Sequence, residues 1–203
     1  GDFRPTHFAT GILQGVGNGS SGSLQVLGGS VASDLVIDGD LQRFFVDGGD
    51  VDGTIEAIGN ISEFVVRSTA TGSDGNLRSR IEADSIDDLT VIGGDLESTV
   101  VTHDKEHDRL RVTVLPYDKK GGRVESRNSF HIAGGVEKLL ASQLHIGLHV
   151  GGEVKEITVV GDETTRGLLS GEVNAGRIGR IFAKDADVQV DLSTSDQAWQ
   201  MEG

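Results

Sequence analysis

Histidines and carboxylates carry the candidate chemistry of this chain, since its 203 residues include no cysteine. His103 and His107 lie four positions apart in the stretch HDKEHD, and Asp104 and Asp108 follow them directly. Imidazole and carboxylate groups are ligands of divalent metals. The four residues therefore form a candidate metal loop, although the zinc-protease motif requires Glu after its first histidine. The alternative is a solvated polar loop.

A second candidate is the pair His131 and His149. Each lies between two apolar residues, in Phe130–Ile132 and Leu148–Val150. If these segments are neighbouring parallel strands in register, the two rings stack about 5 Å apart. The pair then forms a two-histidine surface site, a pH-sensitive rung or a chance pair of outward polar residues, and the sequence leaves these alternatives open.

Catalytic sets are harder to find. Glycoside hydrolysis needs two converging carboxyl groups, and Asp87-Asp88 is the tempting pair, but equivalent positions elsewhere in the chain are simply polar. We therefore expect no catalytic residues. Repeated Gly-Asp corners favour calcium, yet the calcium-binding repeat Gly-Gly-x-Gly-x-Asp at nine-residue spacing is not sustained. We expect no cofactor other than, at most, one isolated calcium ion.

Two alternating apolar motifs indicate the elements that position these side chains. The long motif has three spacers and then one, as in Val51-Ile55-Ala57; the short motif has two spacers and then one, as in Ile61-Phe64-Val66. They alternate from residue 31 to 96 and again from 136 to 178. One long and one short motif together span about twenty residues, which is typical of one coil of a solenoid.

The spacing predicts strands joined by bends. The last two apolar residues of each motif are two apart and so share one strand face, and the longer gap before them breaks the alternation. Glycine suits the corners, and the Asp, Asn or Ser that follows can bond neighbouring backbone at a turn. We predict an all-β, single-stranded parallel β-helix with right-handed connections. It has about seven to eight coils and a length of about 35–40 Å.

One stretch offers a rival interpretation, because GVEKLLASQLHIGL also has apolar residues at helical spacing. The same residues satisfy the two motifs, and we favour the solenoid. The whole chain, 1–203, is then one domain. Its predicted parts are an N-terminal cap or first coil (1–23), regular coils (24–101), an irregular coil with loops (102–128), regular coils (129–185) and a C-terminal cap (186–203). The loops of 102–128 are either binding loops or tolerated insertions.

Charge and composition exclude several function classes. The net charge of −14 argues against nucleic acid as a partner, because phosphates need a basic surface. It argues equally against anionic membranes, and no apolar run is long enough for membrane insertion. The first residues lack the pattern of a signal peptide.

The stretches GNISEFVV, DSIDDLTVIGGDL and GEVKEITVVGD resemble the Gly-Asn-Ile-x-x-Leu-x-Val repeats of large bacterial secreted and surface proteins. Adhesin-type and bactofilin-like β-helices are similar in a general way, and the resemblance covers about residues 24–100 and 132–185. It implies an extracellular or cell-surface location and a structural or adhesive role. Partners would be neighbouring repeats of a longer polypeptide, or further copies in a homo-oligomer.

The leading expectation is a non-enzymatic structural or adhesive β-solenoid module. One alternative is a carbohydrate-binding or polysaccharide-degrading β-helix, whose partner would be an extracellular glycan. Another is a scaffold protein that assembles end to end.

Overall fold

The computed structural model describes residues 11–14, 22–68, 75–106, 109–115, 123–161, 166–195 and 200–202. All of its strands belong to one sheet of seventeen strands. The strands are β1 (Gly11–Gln14), β2 (Gly22–Leu27), β3 (Val31–Ala32), β4 (Leu35–Asp38), β5 (Leu41–Asp47), β6 (Val51–Ile58), β7 (Asn60–Arg67), β8 (Leu77–Ala83), β9 (Ser85–Ile92), β10 (Thr99–Thr102), β11 (Arg109–Leu115), β12 (Arg123–Ile132), β13 (Gly135–Ala141), β14 (Gln143–Val160), β15 (Gly167–Lys184), β16 (Ala186–Thr194) and β17 (Gln200–Glu202).

The strands stack in two parallel rows, one from the long motifs and one from the short motifs. The long-motif row is β1, β3 with β4, β6, β8, β10, β12, the first parts of β14 and β15, and β16. The short-motif row is β2, β5, β7, β9, β11, β13, the second parts of β14 and β15, and β17. The predicted all-β parallel solenoid is confirmed. The helical alternative is wrong, because residues 135–148 form strand β13, a one-residue bend at Ser142 and the start of strand β14.

The register of the short-motif row gives the length of the rod. One column of paired residues runs through nine levels: Leu24, Phe44, Phe64, Leu89, Val112, Leu139, Ile157, Ile181 and Met201. Eight steps of about 4.8 Å give a rod of about 38 Å, which lies within the predicted length. The nine levels exceed the predicted seven to eight coils, because short described strands at both ends add levels to the row.

The predicted irregular coil keeps its place in both rows. Strand β11 lies between β9 and β13, and strand β12 lies between β10 and β14. The extra residues of 102–128 therefore do not interrupt the stacking. The predicted C-terminal cap begins with β16, which continues the long-motif row as one more strand on β15.

The core consists of like residues stacked in columns. Val51, Leu77 and Leu96 form one such column and are at most 1% exposed, as the motif alignment predicts. Phe44 and Phe64 are fully buried, and their rings stack with centroids 4.4 Å apart. Aliphatic columns supply most of the buried apolar area, and a few phenylalanines such as this pair add to it.

The coils come so close at the corners that side chains are excluded at some positions. A Cβ on Gly49 would overlap the carbonyl of Gly29, and one on Gly94 would overlap the carbonyl of Gly75. These glycines are required by the close backbone approach.

Polar side chains also cross between coils inside the rod. Asn128 is 4% exposed and Ser98 is 2% exposed. The Asn128 Oδ1 accepts a hydrogen bond from the Ser98 backbone N–H at 2.7 Å, and its Nδ2 donates to the Leu96 carbonyl at 2.8 Å. The Ser98 hydroxyl in turn donates to the Leu77 carbonyl at 2.9 Å. These bonds satisfy backbone groups where the strand ladder is interrupted.

Candidate functional site

The best-defined polar cluster outside the core is the histidine pair on the long-motif row. Strands β12 and β14 align His131 directly with His149, and β15 places Asn174 next in the same column. Each of the three lies between two core-facing neighbours, so strand alternation turns it outward. His131 is exposed and His149 is half-buried.

The two imidazoles stack as the alignment predicts. Their ring centroids are 5.0 Å apart and the ring planes differ by 11°. The His131 Nε2 lies 3.0 Å from the Ser129 hydroxyl. A third histidine, His145, faces outward on the same strand as His149, but its Nδ1 lies 2.7 Å from the Ser170 hydroxyl. The sequence thus predicted that His131 and His149 stack, whereas the hydrogen bonds of the histidines to Ser129 and Ser170 are visible only in the structure.

A shallow depression of about 350 Å³ adjoins the pair. His131, His149 and Asn174 line it together with Thr102 and Gly151. Gly151 contributes no side chain because a Cβ there would overlap the Ala133 carbonyl.

In the first predicted metal loop, the described candidate ligands His103 and Asp104 are hydrogen-bonded to other protein groups. The His103 Nε2 lies 2.9 Å from the Glu82 Oε1, one coil below. Arg80 bonds the other oxygen of Glu82 at 2.7 Å, and this arginine, followed by His103, lowers the pKa of Glu82. Asp104 accepts a hydrogen bond from the Glu106 backbone N–H. His107 and Asp108 lie outside the described residues.

Corner carboxylates and amides, which raised the question of calcium, receive protein donors. Ser30 Oγ accepts the backbone N–H of Asp50, Asp50 Oδ1 accepts that of Asn76, and Asn76 Oδ1 accepts that of Asp95. Arg78 also bonds Asp50 Oδ2 at 2.9 Å. These oxygens join one coil to the next. Within the described ranges, no three His, Asp or Glu side chains come close enough together to hold an ion.

The adjacent carboxylates Asp87 and Asp88 differ from each other in their contacts. Asp88 pairs with Arg111 of the next coil at 2.9 Å. Partial burial, followed by the charge of Asp88, raises the pKa of Asp87 against the opposing effect of Arg111. A raised carboxyl pKa is a feature of acid catalysts, but both carboxylates lie in the gap of a short motif, between the buried Ile86 and Leu89. This position, together with the pairing of Asp88 with Arg111, favours a surface pair of carboxylates.

The sequence reasoning missed one outward column, on the short-motif row. The sequence predicted a polar outer surface, but the side chains of this column are apolar or threonine. They are Phe45, Val65, Thr90, Thr113, Leu140, Thr158 and Phe182. Arginines cover both phenyl rings, with the Arg43 Cζ 4.5 Å from the Phe45 centroid and the Arg180 Cζ 5.3 Å from the Phe182 centroid. The sequence feature that indicates this column is the apolar or threonine residue between the last two core positions of the short motifs.

Cross-coil ion pairs flank this column. Arg43 pairs with Glu63 at 2.8 Å, and Arg67 pairs with Asp47 at 2.6 Å. The bond from Arg67 lowers the pKa of Asp47. Each pair joins residues at matching positions of consecutive coils, so the ion pairs reinforce the register of the solenoid and neutralise part of its negative charge.

Comparisons of the chain with protein-family models, with curated proteins and with solved structures found no match. No helix long and apolar enough to cross a membrane occurs among the described residues.

Proposed function

We propose that this chain is a structural β-solenoid rod that joins other copies end to end. One observation carries the proposal: the apolar columns continue to the last described strands, where they become exposed. Leu169 is fully buried, whereas Val188, which pairs with it on the terminal strand, is 37% exposed. Likewise, Val173 is fully buried and Leu192 above it is only half-buried.

The opposite end has the same character. Leu24 and Val26 of β2 are partly buried against the core, whereas their partners in β5, Phe44 and Val46, are fully buried. Among the described strands, β1 and β2 at one end and β16 and β17 at the other each pair with a neighbour on one side only. Open edges and exposed apolar residues favour pairing with another strand.

The strand direction makes the two ends complementary. All coils wind in parallel, so the first coil of a second copy can continue both rows on the last coil of the first copy. Such a head-to-tail contact is heterologous and does not close, and it therefore produces a filament. The chain's negative charge opposes this contact by repulsion, and salt screens that repulsion.

Sedimentation velocity and electron microscopy over a concentration series test this proposal. We expect linear assemblies that lengthen with protein concentration and with added sodium chloride. Val188→Lys places a charge at the exposed end and should leave single rods. Val160→Lys is the matched control, because Val160 is 36% exposed and lies away from the terminal strand. Single rods at every concentration and salt would overturn the proposal, as would equal effects of the two variants.

The resemblance to repeats of secreted and surface proteins supports placing such rods at the bacterial surface, where they would extend or present attached segments. Glycan binding is the competing role, since Phe45 and Phe182 lie outward on one face of the rod, although a sugar ring would have to displace the arginines that cover them. A glycan array and a reducing-sugar assay distinguish the two roles. Selective binding, or turnover of a polysaccharide, would replace the structural role with a carbohydrate-directed one.

A further inference from the structure

We propose that His131 and His149 together bind one divalent transition-metal ion, such as Zn²⁺ or Ni²⁺, on the side of the rod. The site lies away from both ends and is independent of end-to-end assembly. Neutral imidazole is a ligand that zinc, nickel and copper favour. The solenoid register fixes two imidazoles one coil apart, with centroids at 5.0 Å.

Metal binding requires a small rearrangement of the rings. The in-plane lone pairs of nearly parallel rings do not converge on one point, so the stacked arrangement is the metal-free one. Two ligand nitrogens of tetrahedral zinc, each about 2.1 Å from the ion, lie about 3.4 Å apart. The two rings must therefore turn until one nitrogen of each comes within about 3.4 Å of the other, and outward side chains on a strand can do this by turning about χ1 and χ2.

The surroundings provide further donors and space. Asn174 follows His149 in the column and carries an amide oxygen, and the adjoining depression of about 350 Å³ can hold the water molecules that complete the coordination. The Ser129 hydroxyl, 3.0 Å from the His131 Nε2, either exchanges this bond for the metal or orients the ring through it.

The charges near the pair favour a cation. Glu172 pairs with Gly147, so it lies one coil and two residues from His149. Glu82 lies in the column of His131 two coils below, with Val101 between them. Its oxygens are paired with Arg80 and His103, so Glu172 is the carboxylate that favours a cation here. No described Lys or Arg occupies this column, which contains Glu56, Glu82, Val101, His131, His149, Asn174 and Ser193.

Isothermal titration of the full chain with Zn²⁺ and with Ni²⁺ tests the site. We expect one ion per chain, an affinity at least tenfold lower in His131→Ala or in His149→Ala, and little further loss in the double variant. His145→Ala is the matched control: this outward histidine on the same strand as His149 is bonded to Ser170 instead, and its removal should change the affinity less than twofold. Calcium, which prefers oxygen ligands, should give no comparable heat.

Side-chain NMR of the histidines gives a second readout that does not depend on substitutions. Zinc should shift the signals of His131 and His149 together, at one ion per chain, and leave His145 unchanged. Metal affinity that survives both alanine variants would assign the ion to other histidines and overturn the proposal. So would an absence of binding, or equal losses in the control variant. Far-ultraviolet circular dichroism confirms that each variant is folded.

Discussion

Replacing the buried Asn128 with alanine tests whether polar side chains that cross between coils hold the solenoid together. The substitution removes the acceptor of the Ser98 N–H and the donor to the Leu96 carbonyl, at 2.7 and 2.8 Å. A buried backbone group left without a partner costs about 1–3 kcal/mol, so the two groups together could cost about 2–6 kcal/mol. Water can enter the space that the side chain vacates, and we expect a loss of about 2–4 kcal/mol.

Urea unfolding followed by circular dichroism measures this loss. Asn174→Ala is the matched control, because Asn174 is exposed on the outer surface and its removal should change the free energy of unfolding by less than about 0.5 kcal/mol. Asn128→Asp keeps the acceptor but turns a carboxylate towards the Leu96 carbonyl, so it should be destabilising at pH 7 and less so in acid, where the protonated group can donate. Alanine at position 128 within about 0.5 kcal/mol of the parent would refute the reasoning.

Two further predictions use the corner glycines and the acidic pair. Gly49→Ala should cost about 3 kcal/mol in urea unfolding, because its Cβ would overlap the Gly29 carbonyl of the preceding coil. Gly147→Ala is the control, since its Cβ would meet a carbonyl oxygen at an ordinary 3.6 Å. Equal losses in the two variants would contradict the packing argument. Asp87→Asn should raise stability at pH 7. Burial and Asp88 raise the pKa of Asp87 in the folded state above its unfolded value, so folding favours the protonated carboxyl. The stability of the parent protein therefore falls as the pH rises through that range, and the asparagine variant avoids this loss. The gain should vanish below the unfolded pKa of Asp87, and a gain that persists in acid would show that charge is not its cause.

The repeat made the columns predictable from the sequence. Parallel coils in register place residues of equal motif position on top of one another, so the alignment of Val51 with Leu77, and of His131 with His149, follows from spacing alone. No helix or change of strand direction intervenes to alter that relation in the described coils. The position of the candidate metal pair was therefore available before any coordinates were.

Features set by insertions and by the corners were not predictable in the same way. The extra residues of 102–128 hide the register, so the regular place of β11 and β12 could be found only from their pairing. The burial of Asn128 depends on the shift in strand register between Val124 and Asn128 within β12, because without that shift a polar residue at this position is equally compatible with solvent. The contact between His103 and Glu82 depends on where the chain turns after β10, which motif spacing does not specify.

The stacked registers have a consequence for how such a molecule can change over generations. Each coil rests only on the coil below and the coil above, so one complete winding can be duplicated or lost without repacking distant parts. Every such event alters the reach of the rod by a fixed increment of about 4.8 Å. The number of coils that the gene encodes therefore sets the length of the rod.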